Sequence, residues 1–152
     1  MSTEPILNLF TDDYFMREAY KEAQKAYDAD EVPVGAVIVC QNQIIARAHN
    51  LTESLNDVTA HAEMQAITAA ANHLGGKYLN ECTLYVTLEP CIMCAGAIYW
   101  AQLKQVIYGA PDTKRGFSKL QTNILHPKTQ IKGGIMEQPC SKILTDFFNS
   151  KR

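Results

Sequence analysis

No apolar run in this 152-residue chain approaches the ~20 residues that a membrane helix needs, so no membrane helix is expected in it. The opening stretch, MSTEPILNLFTDDYF, lacks a basic region followed by an apolar one. It does not read as a signal peptide, and the expectation is a cytoplasmic protein. Glycine and proline are sparse, at 8 and 6 residues, and no internal repeat, low-complexity tract or linker interrupts the chain. The expectation is therefore one domain over residues 1–152, long enough to bury a full core. Cysteine is scarce and odd in number: Cys40, Cys82, Cys91, Cys94 and Cys140. An odd count without an export signal argues against a disulfide framework and leaves metal binding, catalysis or burial.

Excess charge is also missing, with a net −2 that does not mark a nucleic-acid partner. The average hides a split. Residues 1–113 hold six Lys/Arg against fourteen Asp/Glu, whereas residues 114–152 hold eight against two. Such asymmetry either marks a face for a polyanion or is a solvated C-terminal surface.

Hydrophobic spacing outlines the elements. From Asp12 to about Ala29, Phe15, Ala19, Ala23 and Ala26 recur at helical spacing behind acidic residues. VPVGAVIVC reads as a buried strand and QIIARAHN as its antiparallel hairpin partner. TAHAEMQAITAAANHLGG is an alanine-rich helix with a glycine stop at Gly75-Gly76. CTLYVTL has the strongest strand composition, Cys91 to Trp100 reads as a short helix, and QVIYGA as another strand. Strand, helix and strand make a crossover unit, so these two strands should run parallel. The tail is expected to add a strand near Gly134–Met136 and a helix from about Ser141 to Phe148. The sum is a three-layer α/β/α domain with a mixed sheet of about five strands.

Parallel strands place a ligand site beyond their carboxyl ends, where helices begin. Cys91 and Cys94 stand there, behind Pro90, which suits a first helical turn. At i and i+3 both sulfurs share one face of that turn, and the helix N-terminus favours thiolates. A redox pair should follow the first strand of its fold, and this one comes late. A structural four-ligand zinc site needs a second Cys-x-x-Cys or a His pair, and none exists. The sequence does hold His61 and Glu63 at the start of the alanine-rich helix. A lone His-x-Glu is more often hydrogen-bonded structure than ligand. Combined with the cysteine pair it makes three protein ligands, the pattern of catalytic zinc, where the fourth position stays open. Residues i and i+2 do not share a helix face, so His61 should sit at the very start while Glu63 handles the proton of a water.

His-x-Glu followed by Pro-Cys-x-x-Cys is the signature of nucleobase deaminases. Carried by EVPVGAVIV, AHN, TAHAEM, TLYVTLEPCIMCAGAI and YGAPDTKRG in that order, the chain resembles the cytidine deaminase superfamily and, within it, the bacterial tRNA-specific adenosine deaminases. The words span residues 31 to 116, and the terminal helices also fit. The resemblance implies one Zn2+ per chain held by His61, Cys91 and Cys94, with Glu63 as proton shuttle. It implies hydrolysis of a wobble adenosine, flipped out of a tRNA, to inosine and ammonia. Asn50 matches a base-contacting position and Val34 a pocket wall, while Asp112 and Lys114 match a loop that touches RNA in relatives. Each has a plain alternative: a turn-stabilising Asn, a core Val and two solvated charges. A homodimer whose partner helps hold the RNA is also implied, with AIYWAQL as a candidate for its interface.

Two stretches depart from those relatives: Tyr99-Trp100, which guanine deaminases of the superfamily resemble, and residues 117–132. A guanine or free-nucleoside deaminase is therefore the alternative substrate reading. The basic C-terminal segment favours RNA, since a free-base enzyme has no use for phosphate contacts. The different-class alternative is a non-catalytic zinc-containing nucleic-acid-binding module, which requires a fourth protein ligand and no role for Glu63.

Overall fold

A computed structural model describes residues 9–152. Helix α1 spans Asp12–Asp28, with Thr11 as N-cap accepting the Tyr14 amide at 3.1 Å. All four apolar residues expected on its inner face are buried. Strands β1 (Gly35–Cys40) and β2 (Gln43–His49) form the antiparallel hairpin. Gln41 and Asn42 turn it with φ of 52° and 62°, the left-handed pair of a type I′ turn. Strand β1 starts only at Gly35, after Pro33, so Val32 to Val34 form a lead-in.

Helix α2 (Ala62–Leu74) ends at Gly75, whose φ of 71° is the left-handed stop that glycine supplies without a Cβ clash. Strand β3 (Cys82–Leu88), helix α3 (Ile92–Ala101) and strand β4 (Gln105–Ala110) make the expected crossover, with β3 and β4 parallel. A short 3-10 turn at Phe117–Lys119 precedes β5 (Gln130–Lys132) and α4 (Glu137–Ser150). Among the described residues the sheet order is β2-β1-β3-β4-β5, with the β2-β1 and β1-β3 pairs antiparallel and the other two parallel.

The tail expectation needs two corrections. The last strand is Gln130–Lys132 and not Gly134–Met136, which instead turns the chain into α4. Helix α4 begins at Glu137, four residues earlier than expected, because Pro139 sits in the first turn, where its missing N–H costs nothing. Cys40 stands directly opposite Cys82 across the β1–β3 pair.

Alternation along the strands assigns each face. Ala36, Ile38, Leu84, Val86 and Val106 pack with α2 and α3, while Val37, Val39, Tyr85 and Ile107 pack with α1 and Cys140 of α4. Helices thus cover both faces of a mixed five-stranded sheet. Helix α1 lies so close that a Cβ on Gly35 would be 2.1 Å from the Ala19 carbonyl oxygen.

Candidate metal centre

The centre forms where α2 and α3 begin on the same face of the sheet. His61 and Cys91 are the N-caps of these helices, both with extended backbone, and their carbonyls accept the first helical bonds from Gln65 and Ala95 at 3.1 and 2.8 Å. Neither side chain caps its own helix. The two are aimed at one another instead. Cys94, in the first turn of α3, brings its sulfur to the same point as expected from the i, i+3 spacing.

His61 Nδ1 lies 3.7 Å from Cys91 Sγ and 3.5 Å from Cys94 Sγ, and the three ligand atoms all lie within 4.8 Å of one another. Bond lengths of about 2.0 Å to nitrogen and about 2.3 Å to sulfur at a tetrahedral angle separate N from S by about 3.6 Å. The donor set and its spacing therefore fit zinc. Among the described residues no fourth His, Cys, Asp or Glu joins the group. That is the open arrangement of catalytic zinc, and it counts against a closed structural site. Glu63 is buried beside the cluster without belonging to it.

The protons follow the geometry. A hydrogen bond from the Cys94 thiol, opposed by burial and assisted by His61, brings Cys91 down to about 4. The same shared proton, with burial, drives Cys94 upward. The Cys91 thiolate raises His61. Burial pushes the Glu63 carboxyl up to about 7, which suits a group that takes and returns protons near neutrality.

The substrate candidates are placed as follows. Asn50 is buried just after β2, its Nδ2 donating to the Val32 carbonyl at 3.3 Å and its Oδ1 accepting the Thr52 amide at 3.2 Å. One Nδ2 hydrogen and one Oδ1 lone pair remain for a ligand. Val34 packs in the main core, and its carbonyl accepts the Asn50 amide at 3.1 Å. Asp112 Oδ1 accepts the amides of Lys114 and Arg115, both at 3.0 Å, so it shapes its loop and turns the two cations outward. Sequence reasoning missed Glu31 and Glu89, two buried carboxylates beside these loops. Their signal was weak, since an acidic residue next to a turn ordinarily reads as solvated.

The family model for the cytidine and deoxycytidylate deaminase zinc-binding region matches residues 10–110. The chain belongs to this deaminase family. Within that family, the tRNA-specific adenosine deaminase of Bacillus subtilis (strain 168) is 44% identical over 146 residues, covering 93% of this chain and 91% of that protein. A solved structure from work on A-to-I editing by tRNA:A34 deaminases at the wobble position superposes with a TM-score of 0.80. It is 43% identical and covers 86% of this chain and 99% of its own. A guanine deaminase from Bacillus subtilis is 44% identical but covers 68% of this chain and 66% of its own, with a TM-score of 0.65. The matched zinc-binding region of this deaminase includes the cluster of His61, Cys91 and Cys94 at the two helix starts.

Proposed function

We propose that this deaminase hydrolyses adenosine at the wobble position of a tRNA, releasing ammonia and leaving inosine. The observation that carries the reading is the open His61–Cys91–Cys94 cluster with the buried Glu63 beside it. The 44% identity to a tRNA-specific adenosine deaminase over 93% of the chain supports the choice of substrate.

His61 Nδ1, Cys91 Sγ and Cys94 Sγ would hold one zinc. When bound, the ion supplies Lewis-acid activation of a water near neutral pH. Glu63 takes one proton from the attacking water and gives it to a ring nitrogen of the base. It then takes the proton left on the added oxygen and gives it to the amine, which leaves as ammonia when the C–N bond breaks and the C=O bond forms. Burial raises the proton affinity of this carboxyl. Asn50 orients the flipped base through its remaining donor and acceptor, and the backbone at Val34 closes the wall behind it. Lys114 and Arg115, exposed on a loop shaped by Asp112, meet phosphate.

A homodimer in the cytoplasm completes the reading. Helix α3 exposes Ile92, Tyr99 and Trp100, the last 76% exposed, an apolar surface of the kind a second copy covers. The described residues contain no helix long and apolar enough to cross a membrane.

Deamination of guanine is the rival with the same chemistry, supported by the partial match to a guanine deaminase. Ammonia release from an anticodon stem-loop with a wobble adenosine, set beside release from guanine, separates them. Fast release from the RNA alone supports the proposal, and turnover of guanine with inert RNA refutes it.

A further inference from the structure

Glu31 and Glu89 are buried carboxylates with the same set of partners: two backbone amides and one serine hydroxyl. Glu31 accepts from the amides of Glu53 and Ser54 at 2.9 and 2.7 Å and from Ser54 Oγ at 2.6 Å. Glu89 accepts from the amides of Asp112 and Ser118 at 3.1 and 3.0 Å and from Ser118 Oγ at 2.6 Å. Each therefore ties down a loop that flanks the metal centre.

The loop held by Glu89 is the cationic one. Between the two clamped residues lie Lys114 and Arg115, both exposed and without an ion-pair partner among the described residues. Glu89 itself stands two residues before Cys91. The loop also bonds to this ligand-bearing segment through its backbone, with the Phe117 amide on the Pro90 carbonyl at 2.9 Å and Cys91 bridging to Gly116. Gly116 permits the close approach, since a Cβ there would lie 2.1 Å from Glu89 Oε2. The other loop has no Lys or Arg anywhere from residue 48 to 76.

The geometry points to Glu89 as a positioning residue for RNA specificity: it fixes the 112–118 loop relative to the metal centre so that Lys114 and Arg115 meet phosphate in register with the reacting base. This deepens the proposed function and rests on it. Both oxygens of Glu89 receive a backbone amide, so a glutamine can satisfy one and must set its own NH2 against the other. Glu89→Gln is thus isosteric and still releases one end of the loop.

The test uses full-length, zinc-loaded protein and a wobble-adenosine anticodon stem-loop. Kinetics as a function of salt are measured for wild type, Glu89→Gln, Ser118→Ala and the pair Lys114→Ala/Arg115→Ala. In Glu89→Gln the loss falls on KM, by about tenfold, and the slope of log affinity against log salt becomes shallower by about 1 to 2. Adding Lys114→Ala/Arg115→Ala to Glu89→Gln costs little more, because both remove the same contacts. Ser118→Ala, at an exposed position, gives a smaller change in the same direction. Hydrogen exchange, which needs no RNA, shows faster amides at Asp112 and Ser118 with α3 unaltered. An unchanged salt slope, additive losses, or uniformly faster exchange overturns the inference. Wild type inert on the stem-loop refutes the proposed function instead, which keeps the two failures distinct.

Discussion

His61 and Cys91 occupy the same position, the N-cap, on two helices that start side by side. Neither helix spends that side chain on its own amides, and Nδ1 and Sγ meet at 3.7 Å. Local capping energy, typically ~1 kcal/mol per helix, is forgone in favour of ligand geometry. Metal binding should therefore tie the two helix starts together. Removing zinc with a chelator is expected to lower the thermal midpoint and to speed amide exchange first at Ala62–Gln65 and Ile92–Ala95. An unaltered exchange pattern after complete zinc loss would count against this coupling.

Glu63 lies outside the ligand cluster, so its replacement separates metal binding from chemistry. Glu63→Gln is expected to keep about one zinc per chain by metal analysis, while turnover falls by about 10²–10⁴-fold, the range for loss of a proton-transfer group. Cys94→Ser is expected to lose zinc and turnover together. A zinc-free Glu63→Gln protein would show the carboxylate to be a ligand.

Gly35 is where α1 rests on the sheet. A methyl there would meet Ala19 O at 2.1 Å and Ala23 N at 2.3 Å, backbone atoms that move only with the whole helix. Gly35→Ala should cost roughly 1–3 kcal/mol or more in denaturant unfolding. A neutral substitution would mean that α1 docks more loosely than the contact implies.

Glu31 gives the fold a pH dependence of known sign. Burial raises its pKa, but the bonds from Ser54 and the amides of Glu53 and Ser54 outweigh burial and hold it below 4.5. A carboxyl depressed on folding contributes stability above its unfolded pKa and loses it as pH falls through the folded value. The gap in unfolding free energy between wild type and Glu31→Gln should be widest above pH 4.5 and narrow at lower pH. A gap that widened on acidification would contradict the sign.

That His61, Cys91 and Cys94 would be brought together was legible because the signal is chemical: few residue types make strong ligands, and their spacing survives into helix geometry. His61 had to begin a helix for Glu63 to lie nearby, and it is the N-cap. The central strands were legible from runs such as CTLYVTL, buried along most of their length. Strand β5 was not, since its three residues are all exposed and carry no apolar alternation, while Ile135 and Met136 drew the expectation downstream. Long-range pairings were equally silent. Nothing in the sequence says that Cys40 faces Cys82, or that Glu89 reaches Ser118 across 29 residues. Those contacts depend on sheet order and loop docking, which local periodicity does not encode.

Which base this deaminase changes can be measured directly. Purified zinc-loaded protein is incubated with total tRNA, in parallel with Glu63→Gln, and the tRNA is then sequenced. The expected result is adenosine-to-inosine conversion at the wobble position, abolished in Glu63→Gln. Unchanged wobble adenosine beside rapid deamination of free guanine would contradict it.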